Sequence, residues 1–290
     1  MATFVQLTVT GLSNGAILAL AALGFVLIYK SSAVINFAQG QFLLIGAYVV
    51  WALTVEAGLH WAVSVLGAVL VAIALGIAVE RLILRPLVGQ PNISVIMVTI
   101  GLAQVLGALV LIIWGTTPRA FPEFIPSSSV DLLGAQVGAS RLWALGLVAV
   151  ALVAFALFFT RSRHGIAMRA VADDQQAALA MGISVRRVFA LAWALAGVSA
   201  VVGGMLLANL VGVSGEISGF GLLVFPVVIL GGLDSVLGAV VGGAVIGLLT
   251  AYTGGYVGGG LETVIPYVAL VLILLVKPYG LFGQVRIERV

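Results

Sequence analysis

Reactive side chains are scarce in this 290-residue sequence, and their spacing limits what they can do. His60 and His164 are the only histidines, and they fall on opposite sides of the membrane implied by the hydropathy pattern. That placement leaves no His-based zinc site and no paired acid and base. There is no cysteine, so thiolate metal sites, thiol nucleophiles and disulfides are excluded. Ser127, Ser128 and Ser129 have no neighbouring base to activate them. No G-x-x-x-x-G-K-[ST] phosphate loop occurs, so the chain is expected to bind no ATP and no other cofactor, and to catalyse no reaction. What remains is hydrogen bonding and ion pairing. Asn36, Gln39 and Gln41 are amides inside an apolar window, where their groups need partners away from water. Arg161, Arg163, Arg169, Arg186 and Arg187 cluster in the one long polar stretch, suited to anionic headgroups or to acidic residues of a partner protein.

These groups must be held by membrane-spanning helices. The chain is 62% hydrophobic and 8% charged, with a mean hydropathy of +1.28, so its main solvent is lipid. Apolar windows run near Leu7 to Tyr29, Val34 to Val55, Trp61 to Val79, Val95 to Trp114, Leu142 to Phe159 and Val188 to Val211. Shorter ones cover Phe220 to Leu230, Val236 to Tyr252 and Val264 to Val276. The fold class expected is all-α: a polytopic helical bundle of about eight to nine spans, some short or broken. Residues 1–290 read as a single transmembrane domain containing a polar loop at 160–187. The amino terminus reads as a retained first helix rather than a signal peptide, since no basic residue precedes its apolar run.

Positive charge sets the sidedness. Lys30, Arg81, Arg85 and the five loop arginines share one side if each of the first six windows crosses once. Lys277, Arg286 and Arg289 join them if the last third contributes three crossings, which places both the loop and the carboxyl terminus in the cytoplasm. Nothing in this distribution suggests a nucleic-acid partner.

Within the polar stretch, Ala172 to Met181 is expected to form a short surface helix. Asp173 would cap it, Asp174 would lie in its first turn, and Gly182 would end it. Either a plain positive-inside loop or a docking element fits. Asn36, Gln39 and Gln41 likewise have two readings: they face a solute path from a broken or re-entrant helix, or they bond neighbouring helices. Asn14, Gln104 and Asn209 read as structural polar contacts. Gly231, Gly232, Gly238, Gly242, Gly243 and Gly247 have small-x-x-x-small spacings that suit tight helix crossing. Asp234 is expected to cap the following helix, and Glu80 beside Arg81 to mark a membrane edge rather than a buried carboxylate. The outer loop from Gly115 to Ser140 reads as an ordered connector or as a cap over an outer vestibule.

Four stretches resemble the permeases of the branched-chain amino acid ABC importer family, the LivH-like membrane subunits. GIAMRAVADDQQAALAMGI, from Gly165 to Ile183, is similar to the family's coupling segment, G-x-A-x-R-A-x-x-x-(D/N)-x-x-A-A-x-x-x-G-I. VINFAQGQFLLIGAY, from Val34 to Tyr48, resembles its N-F-A-x-G-E segment. ILGGLDSVLGAVVGG, from Ile229 to Gly243, and KPYGLFG, from Lys277 to Gly283, resemble two later runs in the same order. The chain departs from the pattern at Gln41, where Glu is usual, at Asp234, where Gly is usual, and in LLVFPVVIL before GGLDS. The resemblance implies a permease in a bacterial or archaeal plasma (inner) membrane, with Gly165, Arg169, Ala170, Asp173, Asp174, Ala177, Ala178 and Gly182 in its ATPase-coupling loop. It also implies a second permease subunit, as a hetero- or homodimer, two ATP-binding cassette subunits that bind the ATP, and an extracytoplasmic solute-binding protein. The alternative is a self-sufficient secondary transporter or channel for small polar solutes. Spans nearly free of ionisable groups and the absence of a repeat between the halves speak against it.

Overall fold

The structure, a computed structural model, describes residues 1–87, 90–126 and 128–283; Ser127 and the tail residues Arg286 and Arg289 lie outside the described residues. Six helical segments among the described residues are long and apolar enough to cross a membrane: Ala2–Ser32, Trp61–Leu87, Ile93–Trp114, Ala139–Arg161, Val185–Val211 and Val236–Val257. Two shorter apolar helices, Glu216–Gly231 and Leu261–Val276, join them. A further helix, Gln39–Trp51, continues as a π-helix over Ala52–Glu56. The chain is thus the expected polytopic α-helical bundle of long, short and broken helices.

In chain order the helices are α1 (Ala2–Ser32), α2 (Gln39–Trp51), α3 (Trp61–Val79), α4 (Asn92–Trp114), α5 (Ala139–Arg161), α6 (Arg163–Asp173), α7 (Gln175–Ala180), α8 (Val185–Val211), α9 (Glu216–Gly231), α10 (Val236–Tyr252) and α11 (Leu261–Val276). The outer loop contains one element that the hydropathy pattern does not reveal. An antiparallel hairpin pairs β1 (Ser129–Leu132) with β2 (Ala135–Gly138).

α1 is apolar on every face, and every residue from Ile17 to Ile28 is buried. A helix apolar on every face suits either lipid or the bundle interior, and α1 takes the interior, packing against α10, α8, α5 and α9. Glycine makes the closest of these contacts. A Cβ on Gly243 would run into the Gly15 carbonyl oxygen, and one on Gly247 into that of Gly11, so α1 and α10 touch backbone to backbone. α9 and α10 meet in the same way: Gly231 and Gly238 face each other's carbonyls, and Gly242 lies on the Val227 carbonyl. Gly232 follows α9 at φ 111°, a conformation that side chains rarely adopt, and abuts the Gly283 backbone. On the other side of α1, α8 packs on α2 through Gly204 against the Leu43 carbonyl, and on α3 through Gly197 against that of Ala72.

Asp234 does not cap α10. Ser235 does, its Oγ accepting from the Gly238 N–H at 3.0 Å. Residue 234 lies one position too early for its side chain to reach the second and third amides of the helix.

Candidate functional site: a re-entrant helix start and a docked surface module

α1 ends at Ser32 with Ala33 in the left-handed region, and α2 starts only at Gln39. The second apolar window is therefore not one helix from Val34: its first residues, 34–38, are non-helical backbone inside the bundle. Such backbone is tolerated at membrane depth only if its polar groups find partners. Asn36 supplies several. Its Oδ1 accepts from the Ala38 N–H at 3.0 Å, an Asx-type turn, and its Nδ2 donates to Gln39 Oε1 at 3.2 Å. Gln39 Nε2 in turn donates to the Ala21 carbonyl of α1 at 3.2 Å. Thr99 of α4 donates to the Ile35 carbonyl at 3.1 Å and accepts from the Phe37 N–H. Asn36, Gln39 and Thr99 are all buried. The Ala21 carbonyl lies eleven residues before the end of α1, about 16 Å along its axis, so α2 starts well inside the bundle.

Gln41 behaves differently from the other two amides. It points toward α4 near Gly107, and its Oε1 is buried with no hydrogen-bond partner among the described residues. It lines a cavity of about 210 Å³ between the start of α2, α4 and α9. Gln104 and Ser218 add polar groups to this notch, while Phe37, Ile100 and Leu222 supply apolar wall. Gly40 and Gly221 bring α2 and α9 together at its floor: a Cβ on Gly40 would strike the Ser218 carbonyl oxygen, and one on Gly221 the Gly40 backbone. Gln104, read from sequence as a structural contact, therefore lines the same space as Gln41. Asn36 and Gln39 instead support the backbone behind it.

The polar stretch folds as two helices rather than one. Ser162 caps α6 through the Gly165 N–H at 2.9 Å. α6 ends at Asp173, and the cap of α7 is Asp174, whose Oδ1 accepts from Gln176 N at 2.8 Å and Ala177 N at 2.9 Å. Asp173 is not the cap: it is the last residue of α6, and the extended backbone that a cap requires belongs to Asp174, at φ −154° and ψ 111°. At the far end Gly182, at φ 81°, lets its own N–H reach the Leu179 carbonyl and the Ile183 N–H reach that of Ala178.

This module is fixed to the bundle. Arg169 donates to the Phe159 and Thr160 carbonyls at the end of α5, and Gly165 lies directly on the Phe158 and Phe159 backbone. Met168, Val171 and Ala178 are buried in a cluster with Leu27 of α1, Phe159 of α5, and Val188 and Ala192 of α8. Ala170 is half-buried, whereas Ala177 and Gly182 are exposed. Leu179 and Met181 project outward at 57% and 82% exposure. No motif singles these two out, but apolar residues flanking buried Ala178 in a polar stretch are a usable signal.

Glu80 is a buried carboxylate, contrary to expectation. It is 3% exposed and holds Arg85 with two hydrogen bonds, Nε to Oε1 at 3.2 Å and Nη2 to Oε2 at 2.9 Å. α3 continues as a π-helix over Glu80–Leu84, and the wider turn brings Arg85 back over the carboxylate. The pair borders a cavity of about 140 Å³ also lined by Ser32, Val34, Trp193 and Gln175. The first residue of α7 and the entry to the re-entrant segment thus share one small space.

The outer loop is tied down at Arg119. Its N–H and C=O pair with Val213 at 2.9 Å each, its Nη2 donates to the Trp114 carbonyl at 2.8 Å, and its guanidinium lies 4.3 Å from the Trp51 ring centroid. Trp51 donates to the Ala120 carbonyl at 3.1 Å. The loop is therefore packed onto α2 and onto the connection between α8 and α9. Among the described residues no group of three or more His, Asp or Glu side chains stands ready for a metal.

Buried helices joined through glycine, a re-entrant helix start beside a small polar notch, and a rigid surface module define a polytopic membrane permease. Residues 7–276 match the family described as branched-chain amino acid transport system, permease component, and the chain belongs to that family. It is 31% identical to the high-affinity branched-chain amino acid transport system permease protein LivH of Salmonella typhimurium, over 99% of this chain and 98% of that one. It is 29% identical to the permease protein BraD of Pseudomonas aeruginosa over the same shares. A probable permease of Methanocaldococcus jannaschii is also 29% identical, over 92% of this chain and 89% of its own length. Among solved structures, PsaBC from Streptococcus pneumoniae in complex with Fab shares the fold at a TM-score of 0.50 and 14% identity, covering 93% of this chain and 91% of that one. The family is one of transport permeases rather than enzymes.

Proposed function

We propose that this chain forms the translocation path of an ATP-binding cassette importer for branched-chain or related small amino acids. It works with a second permease, two ATPase subunits that bind the ATP, and an extracytoplasmic solute-binding protein. The α6–α7 module and the carboxyl terminus face the cytoplasm, and the module is the ATPase-docking element.

The observation that carries this reading is the form of the module. It is capped at both ends, anchored to α1, α5 and α8, and presents Leu179 and Met181 to the outside. An apolar tip on a rigid base is suited to transmitting a push, because little of the motion is lost in bending. The cavity shared by Gln175, Val34 and the Glu80–Arg85 pair gives that push a route toward the start of α2. A rocking of these elements would open and close the notch at Gln41, a rigid-body mode of gating. The notch also suits the solutes named for the relatives: Phe37, Ile100 and Leu222 offer surface to an aliphatic side chain, and Gln41, Gln104 and Ser218 offer hydrogen bonds to the amino and carboxylate groups.

The test is recovery of the tagged chain from its native membrane in mild detergent, with mass spectrometry of what stays bound. Stoichiometric P-loop ATPase is the expected result, and a second permease would identify the other half. A chain recovered alone that moves solute without ATP would refute the proposal.

A further inference from the structure

A groove of about 670 Å³ opens on the flank of the bundle between α5 and α10, away from the notch and the module tip. Its walls are apolar, with Val153 at 57% and Leu237 at 60% exposure, whereas its mouth is polar, holding Lys30, Arg169, Thr160 and Asp234. Along α5 the wall runs from Ala149 to Thr160, which at about 1.5 Å per residue is roughly 16 Å. One leaflet's share of a hydrocarbon core about 30 Å thick is nearly the same length. The mouth therefore lies at headgroup depth when the wall lies among acyl chains.

We infer that this groove is a binding site for an anionic phospholipid of the leaflet on the α6–α7 side. Two cations face one carboxylate at the mouth, leaving an excess positive charge. Arg169 gives two of its five N–H groups to the carbonyls that end α5, which fixes its charge at the mouth. Lys30 is in the last turn of α1, and its ammonium has no hydrogen bond or ion pair to another described residue. A phosphodiester over the mouth accepts from that ammonium, and an acyl chain fills the space between α5 and α10 that no side chain fills. Both α1 and α5 support the module, so an occupant here braces the helices that carry it.

The experiment is native mass spectrometry of the full-length chain, purified in mild detergent and titrated with phosphatidylglycerol or phosphatidylcholine. The wild type is expected to prefer phosphatidylglycerol by about fivefold, the effect of roughly one excess charge near the headgroups. Lys30→Gln should bring the two lipids level. Ala156→Trp, a change at an exposed position on the wall, should remove one bound lipid of either kind, while Arg186→Gln should change nothing. Equal binding of both lipids by the wild type, or a preference that survives both groove variants, would overturn the inference. So would disulfide linkage of Leu237→Cys chains in intact membranes, which would put a second copy in the groove; the chain has no native cysteine to confuse that result.

Discussion

The surface module and the re-entrant start of α2 solve the same problem with opposite means. Each has to stop a helix, turn the backbone and start another. The module does so with near neighbours: Ser162 and Asp174 each cap a helix through amides two or three residues on, and Gly182 closes the end. The start of α2 borrows from across the bundle, with Thr99 of α4 and Ala21 of α1 completing what Asn36 begins. Water can satisfy any group the module leaves open. It cannot reach residues 34–38 in the same way, so those partners have to come from other helices. The turns of the module are thus locally specified, and it moves as one body with the ends of α1, α5 and α8 that hold it; the α2 start is globally specified and moves only if its neighbours do.

The two regions part most sharply at Ala178, which is buried under the module. Ala178→Asp places a carboxylate among Leu27, Phe159 and Val188, and should cost about 3 kcal/mol or more. It should detach the module, seen as rapid proteolysis at residues 174–184 together with loss of ATPase binding. Leu179→Asp with Met181→Asp touches only the exposed tip. It should leave thermal stability unchanged while weakening ATPase affinity by about 2 kcal/mol, or roughly thirtyfold, in a pull-down titration. Equal stability loss in both variants would mean that tip and base are not separate.

Asn36→Ala probes the other region. It leaves the Ala38 N–H and Gln39 Oε1 without partners, and should destabilise the purified protein by about 1–3 kcal/mol, read as a lowered unfolding temperature in detergent. Gln41→Ala removes an amide whose Oε1 already lacks a partner, so it should change solute affinity without that drop. The smallest effect separates two adjacent carboxylates. Asp174→Ala should cost about 1 kcal/mol of local stability and Asp173→Ala close to none, measured by hydrogen exchange at Gln176 and Ala177. The reverse order would move the cap back to Asp173.

Legibility in the sequence follows the same division. α3 and α10 begin at Trp61 and Val236, as the apolar windows predict, because the local caps His60 and Ser235 mark those starts, whereas both run on past the windows as π-turns. Within the module the placement of the cap was off by a single residue, since two consecutive aspartates offer the same chemistry and only the kink between α6 and α7 chooses between them. The burial of Glu80 does not show in the sequence because its neutralising partner is not adjacent Arg81 but Arg85, brought round by a π-turn that leaves no mark in composition. The hairpin in the outer loop was missed because Leu133 and Gly134 make its turn with positive φ, and leucine is a poor signal for that conformation. Gln104 and Ser218 could not be joined to Gln41 at all, because α2, α4 and α9 meet only in three dimensions.

The seam between α1 and α10 has no side chains in it at Gly11, Gly15, Gly243 and Gly247. Sliding either helix along the other by a single residue, in either direction, would bring a Cβ up against backbone where Gly11 meets Gly247, so the pair has no low-energy neighbouring register. Mechanically it is a spliced beam rather than two rods. Any working stroke has to be taken up elsewhere, at joints where side chains can exchange partners, and a stroke delivered to one end of the beam arrives at the other undiminished.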